Sequence, residues 1–284
     1  VTDVDLGIVE PDTEPVESTL TAEPEPTVSE SFAAAQAEAD DILNALLGRI
    51  TTVENKSKYL KILLYGRPGV GKTVFCATAP NPLLIDVEKG AFSINNHPHL
   101  RHAKALEFKS IFQVEQLIKY LAADAPQLRE FQTIVVDSFS ELQKRDLDEI
   151  VAAEAAKDAQ RNKYLPIGAD YNVNTEHMRQ IASALRDLDR NIIVTCHVKE
   201  EKDENTGRML VRPNLTPKLA GTLAGIFDVV AYMESTNSGE STVRTLQVHP
   251  TATVTAKTRI GNLPAVIENP TFDFIHSAFT TNKD

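Results

Sequence analysis

Eight consecutive residues constrain this 284-residue chain more than any other feature: Gly66-Arg67-Pro68-Gly69-Val70-Gly71-Lys72-Thr73. They fit G-x-x-x-x-G-K-[ST], a loop that wraps so tightly that successive backbone N–H groups converge on phosphate oxygens. Glycine permits that close wrapping, because it has no side chain to obstruct the path. Such a loop has to leave a strand and enter a helix. Leu60-Lys61-Ile62-Leu63-Leu64-Tyr65 reads as a buried strand, and Lys72 to Thr78 as the start of a helix whose positive end adds to the anion site. The spacing predicts that Lys72 reaches the β- and γ-phosphates of ATP and that the Thr73 hydroxyl binds Mg²⁺. Average composition produces this pattern by chance in about one percent of chains this long.

The rest of the chain alternates strands with helices. Leu83–Val87, Thr133–Asp137 and Asn191–Cys196 are short apolar runs. Helical spacing covers Ile111–Ala123, Phe139 to about Ala159, and Val173–Leu188, with Arg161–Asn172 irregular between the last two. Phe227–Met233, Thr242–Val248 and Thr253–Lys257 read as later strands. All-apolar strands separated by amphipathic helices predict an α/β fold: a mainly parallel sheet covered by helices on both faces.

Two carboxylates fit beside the loop. Asp137 ends a strand of apolar residues and is expected, with Thr73, to hold the Mg²⁺ shell. Glu88 and Asp86 lie two apart around the end of another strand, on one face if the strand extends that far. Ligands sit at the carboxyl ends of parallel strands, so Glu88 is the better placed to orient or deprotonate an attacking water.

Charge divides the chain. The formal net charge of -11 comes from 40 acids and 29 bases, but twelve acids precede the first base, Arg49. The 28 acids from there on nearly balance all 29 bases, so the overall charge does not exclude a nucleic-acid partner. Residues 1–30 are acidic, carry four prolines and few large apolar groups, and are expected to be a disordered arm. Residues 31–57 are expected to be a helical linker, with Ser31 as its cap and Phe32, Ala35, Ala39, Ile42, Leu43, Leu46, Leu47 and Ile50 forming a stripe suited to oligomerisation. The core is assigned to 58–276 and a tail to 277–284. No apolar run approaches the ~20 residues of a membrane span. The first residues lack a basic signal region, and two cysteines do not make a disulfide scaffold. A reduced, cytoplasmic setting and no membrane partner are therefore expected.

Gly66–Thr73, Leu84-Ile85-Asp86-Val87-Glu88 and Ile134-Val135-Val136-Asp137-Ser138 together resemble the core of RecA-type ATPases. Ser138 stands where AAA+ machines usually carry a catalytic Glu, which counts against that branch. More closely, the chain resembles phage-encoded RecA-like nucleotide-binding proteins, a group that includes single-strand-annealing ATPases. The further motifs are Asp170-Tyr171, Thr195-Cys196-His197 and Phe227-Asp228-Val229-Val230, and the resemblance spans about residues 58–275. It implies a RecA-like P-loop ATPase core with Glu88 as catalytic base and His197 as sensor of the γ-phosphate. Lys257 and Arg259 are similar to the Lys-x-Arg pair that ring-forming motors insert into the next subunit's site. Phe32-Ala33-Ala34-Ala35 is similar to the F-x-x-A segment by which recombinases polymerise.

By the same resemblance, two loops are expected to hold single-stranded DNA, near 157–172 and 198–217. Lys163, in a stretch with Tyr164 and Tyr171, and Lys199, Arg208 and Arg212 are the candidate contacts. Glu200, Glu201, Asp203 and Glu204 dilute the second loop, and Asn205-Thr206-Gly207 reads as a hairpin turn. The expected function is DNA-stimulated ATP hydrolysis in phage recombination or replication, in the cytoplasm of the host cell. The expected partners are further copies of the chain, in a ring or filament, and a phage or host single-strand-binding protein. An ATP-dependent loader without its own DNA grip is the alternative. A small-molecule kinase would need an Arg-rich lid and an acceptor site, and neither is legible. His97, His99 and His102 have spacing that can hold a metal, but no Cys or second carboxylate cluster accompanies them, and a surface loop is expected.

Overall fold

The computed structural model describes residues 28–50, 59–158, 160–239 and 241–281. The chain divides into two compact units, residues 1–56 and 57–284. In the first, α1 spans Val28–Leu47. It begins three residues before Ser31, which therefore lies inside the helix and is not its cap. Gly48 closes it, its N–H donating to Asn44 O at 3.0 Å. Ile42, Leu43, Leu46, Leu47 and Ile50 are exposed. Most of the predicted acidic arm, residues 1–27, lies outside the described residues.

The second unit is built on one twisted sheet. β1 (Lys61–Gly66), β2 (Pro82–Asp86), β3 (Lys104–Glu107), β4 (Thr133–Asp137), β5 (Asn191–Lys202) and β7 (Val229–Ser238) run parallel in the order β7-β1-β5-β4-β2-β3. Beyond β7 the sheet continues antiparallel through β8 (Ser241–Gln247) to β10 (Val266–Glu268). β6 (Met209–Pro213) folds back on β5 as a hairpin, and β9 (Lys257–Thr258) pairs with the start of β7.

Alternation along the parallel strands sends side chains into two cores. Leu63, Tyr65, Ile85, Ile134, Val136 and Val194 meet α3 (Ile111–Ala122), α4 (Phe139–Lys157), α5 (Gly168–Arg186) and α6 (Pro217–Ile226). On the other face Ile62, Leu64, Leu84, Val135 and Ile193 meet α2 (Lys72–Ala77) and α7 (Phe272–Thr281). Burial on both faces is why these strands are apolar without interruption. The arrangement is the mainly parallel, helix-covered α/β fold expected from the sequence.

Several predicted boundaries move. α5 starts at Gly168, five residues before the predicted Val173, because the Asp170 carboxylate accepts the Ile167 N–H at 2.9 Å and caps the helix. β5 runs six residues past Cys196, since its far half pairs with β6 instead of entering the core. The predicted strand Thr253–Lys257 reduces to β9; Thr253 and Thr255 instead bracket Val211 through backbone hydrogen bonds. β3, α6, β10 and α7 were not anticipated. β3 is a four-residue exposed edge, too short for a period to register. α7 runs through the boundary drawn at residue 276.

Candidate nucleotide site

The sheet order brings the carboxyl ends of β1, β5, β4 and β2 side by side, and the predicted phosphate-loop residues, Asp137, Glu88 and His197 collect there. The phosphate loop leaves β1 at Gly66, where a Cβ would stand 2.3 Å from the Met233 carbonyl oxygen of β7, so only glycine fits. Gly69 and Gly71 have φ of 80° and 101°, the left-handed region that glycine enters without penalty. Lys72 is buried, and its Nζ donates to the carbonyls of Gly66 and Arg67, both at 3.0 Å. Burial pulls its pKa down, against the opposing pull of Asp137 and Glu88. α2 has only six residues, so the loop amides and Lys72 carry more of the site than the helix dipole.

Thr73 Oγ1 donates to Asp137 Oδ2 at 2.6 Å, and Thr195 Oγ1, on β5, donates to Asp137 Oδ1. Asp137 is only 6% exposed, and desolvation raises its pKa despite both hydroxyls. A hydroxyl and a buried carboxylate that share a hydrogen bond are hard oxygen donors. Such a pair suits Mg²⁺, which takes one or two protein oxygens and fills its shell with water and phosphate. Among the described residues no group of three or more His, Cys, Asp or Glu is arranged to hold a metal, so this pair is the metal-binding candidate.

Glu88 stands on the turn after β2. The Asp137 carbonyl accepts the N–H groups of Val87 (2.8 Å) and Glu88 (3.3 Å), which locks that turn to β4. Asp86 caps it from below, accepting the N–H groups of Gly90 (2.9 Å) and Ala91 (3.1 Å). Asp86 is therefore a turn-holding residue, and Glu88 faces the site. Glu88 Oε1 lies 2.9 Å from His197 Nε2. The hydrogen bond to His197 is the main reason the Glu88 carboxyl sits below its ordinary pKa, and the same bond raises that of His197. Ser138, whose hydroxyl also bonds Glu88, caps α4 by accepting the Glu141 N–H at 3.3 Å. His197 is held through its backbone: its N–H donates to Ser140 Oγ and its carbonyl accepts from Asn214.

The remaining candidates lie elsewhere. Lys257 Nζ donates to the carbonyls of Ala224 (2.6 Å) and Phe227 (3.1 Å), and Arg259 bonds Asp228 Oδ1 (3.0 Å) and Gly225 O (2.8 Å). Both hold the carboxyl end of α6 in their own chain. They sit at the amino end of the sheet, since β9 pairs with Val229 and Val230 whereas the phosphate loop lies level with Met233. Lys199 and Arg212 are directly opposed in the β5–β6 hairpin and both pair with Glu201, at 2.8 and 3.2 Å. Arg208 is at the hairpin turn. Lys163 lies over the ring of Tyr164, which is 81% exposed. Arg161, in the same loop, forms an ion pair with the buried Asp170. The His97 and His99 rings meet edge to face, and His102 Nε2 is 3.4 Å from Ala79 O.

Spacing missed three participants: Thr195, which grips Asp137; Ser140, which fixes His197; and Glu200, which holds Arg67 of the phosphate loop through two hydrogen bonds of 2.9 and 3.0 Å. Thr195 lies in the flagged Thr195-Cys196-His197 motif; nothing local marks the other two. A cleft of about 410 Å³ opens beside His197, with Ser140, Lys144, Tyr171, Asn174 and Lys199 in its walls.

With this geometry in place, the chain can be set beside known proteins. A family described as an AAA domain matches residues 58–260. No curated protein matches the chain. Among solved structures, the flagellar accessory protein FlaH from Methanocaldococcus jannaschii aligns at 10% identity and a TM-score of 0.39, over 74% of this chain and 84% of that one. A KaiC-like protein from Pyrococcus horikoshii aligns at 13% identity and a TM-score of 0.39, over 74% and 90%. The AAA description here covers a chain with Ser138 directly after Asp137 and its candidate catalytic carboxylate one strand over, at Glu88.

Proposed function

This chain belongs to the AAA-domain family, and from that premise we propose that it is a RecA-like P-loop ATPase that couples ATP hydrolysis to single-stranded DNA. The ATPase part rests on the family and on the convergence of the phosphate loop, Thr73, Asp137 and Glu88. Gly66, Arg67, Pro68, Gly69, Val70 and Gly71 wrap the polyphosphate, and Lys72 leaves its two carbonyls to reach the β- and γ-phosphates. Thr73 and Asp137 hold Mg²⁺, which when bound offsets charge on the phosphates. The Glu88 carboxylate stays ionised beside His197 and accepts a hydrogen bond from the attacking water, fixing its direction and drawing off its proton. His197 is positioned to exchange Glu88 for a γ-phosphate oxygen.

One observation carries the DNA reading: the β5–β6 hairpin is tied to the nucleotide site at two points. His197 at its root pairs with Glu88, and Glu200 further out pairs with Arg67. A change at the γ-phosphate therefore reaches the strand bearing Lys199, and through it Arg208 and Arg212. The cleft beside His197 adds Tyr171 as a stacking surface next to Lys199. Binding through phosphate and stacking contacts is salt-sensitive and sequence-tolerant.

Turnover with and without single-stranded DNA, at two salt concentrations, tests this. Stimulation that fades with salt supports it, and no DNA binding at low salt in any nucleotide state ends it. A specific observation favours the alternative of a loader acting on a protein partner: Glu201 already pairs with both Lys199 and Arg212. Phage recombination or replication, a host-cell cytoplasmic location, a ring or filament of this chain, and a single-strand-binding protein as partner remain part of the same proposal. No described helix is long and apolar enough to cross a membrane.

A further inference from the structure

Arg244 on β8 packs against the phosphate loop from the side away from Glu88. A Cβ added to Gly71 would stand 2.5 Å from Arg244 Nε and 2.9 Å from its Cδ, so the arginine side chain lies directly on the residue before Lys72. Its backbone is clamped on both sides by Asn269: the Arg244 N–H donates to Asn269 Oδ1 (3.2 Å), and the Asn269 N–H donates to Arg244 O (2.6 Å). Asn269 holds this position at φ 45°. Arg244 Nε is buried without a hydrogen-bond partner, as are those of Arg161 and Arg190, but unlike those two arginines Arg244 has no described carboxylate against its guanidinium. Elsewhere arginines are taken up by acids: Arg67 by Glu200, Arg161 by Asp170, Arg190 by Asp124, Arg259 by Asp228. A guanidinium on a backbone held in place beside an anion-binding loop, with no described acid against it and Nε unpaired, calls for an anionic partner.

Sheet order indicates which part of the ligand it meets. The γ-phosphate groups Asp137, Glu88 and His197 lie on β4, on the turn after β2 and on β5, on one side of β1. Arg244 belongs to β8, two strands away on the other side. A nucleotide with its γ end toward β5 and β4 therefore has its nucleoside end toward β7 and β8. We propose that Arg244 is a nucleotide-binding residue of this site, its guanidinium meeting the α-phosphate at the nucleoside end. The assignment rests on the ATPase reading and deepens it. It also gives Gly71 a second reason to be glycine, because a side chain there would displace Arg244.

The test measures ATP and ADP affinity, together with KM and kcat, for the wild-type chain, Arg244→Ala, Arg244→Lys and Lys72→Ala. Both nucleotides carry the α-phosphate, so Arg244→Ala weakens both about tenfold, the loss of one charge-assisted contact. KM rises in step while kcat holds. Arg244→Lys recovers part of the loss, which a purely packing role does not predict. Unchanged affinity in Arg244→Ala overturns the proposal. So does a fall in kcat at constant affinity, which moves the residue to the γ end. Should Arg244→Ala not fold, judged by its melting transition, Arg244→Lys alone decides: affinities equal to wild type overturn the α-phosphate contact, because lysine lacks the planar fork. If the wild-type chain binds neither nucleotide and matches Lys72→Ala, the ATPase reading itself fails and this proposal with it.

Discussion

Glu88 and His197 are separated by most of two strand–helix units, yet Glu88 Oε1 stands 2.9 Å from His197 Nε2. β2 and β5 flank β4, so Glu88, just after β2, and His197, on β5, converge over Asp137. Each partner is about one-third exposed, so the pair is better placed to be exchanged for substrate than to stabilise the fold. Glu88→Gln is expected to bind ATP normally and to lose turnover by about 10²–10⁴-fold, the usual contribution of a positioned base. Equal loss of ATP binding, measured by titration, would falsify the catalytic role.

Removing the link at Glu200 separates the hairpin from the loop. Glu200→Gln is expected to keep basal turnover while lowering stimulation by single-stranded DNA severalfold. The check is the ratio of stimulated to basal rate at low salt. An unchanged ratio rules out the Arg67–Glu200 contact as the connection.

Arg259 poses a choice between two roles. Its bonds to Asp228 and Gly225 serve its own chain, and a trans-acting role requires an assembly that sets the amino end of the sheet against a neighbour's nucleotide site. Arg259→Ala is expected to keep ATP binding and lose hydrolysis, and wild-type specific activity should rise with protein concentration. Wild-type hydrolysis in the mutant, with only a lower melting temperature, would leave the residue its local role.

A polar network unforeseen in the sequence gives a pH prediction. His177 on α5 lies 2.6 Å from Asp146 Oδ1 and 3.0 Å from Glu115 Oε1. Asp146 also accepts from Asn174, which bonds Gln143, which in turn bonds Thr216 at the start of α6. The contact with Asp146, opposed by burial and helped by Glu115, raises the His177 pKa to about 9. Its folded pKa exceeds the ordinary 6.5, so the stabilisation is complete below that value and disappears as pH climbs through about 9. The melting temperature is expected to fall across this window by about 2–4 °C per kcal/mol lost. His177→Asn should flatten the decline, and an identical decline in the variant would show that other groups cause it.

What could be read directly was local. The phosphate loop is contiguous, Asp137 ends an apolar strand, and Glu88 lies two residues past Asp86, so chain spacing was enough to make them candidates. Helix starts were less legible. The capping of α5 by Asp170 begins within a segment that also carries the Arg161 ion pair, and neither has a periodic signature.

By itself, then, the amino-acid sequence determined the glycine-rich loop, the apolar strand that ends at Asp137 and the parallel α/β core, because each is written in residues a few positions apart, whereas the meeting of Thr73 with Asp137 across 64 residues is tertiary. Tertiary structure decided the pairing of Glu88 with His197, the hold of Glu200 on Arg67, the placement of Lys257 and Arg259 at the far end of the sheet, and the packing of Arg244 on Gly71. These relations depend on strand order and register. The same short apolar strands are compatible with more than one order, and only packing the two cores on either side of the sheet selects among them.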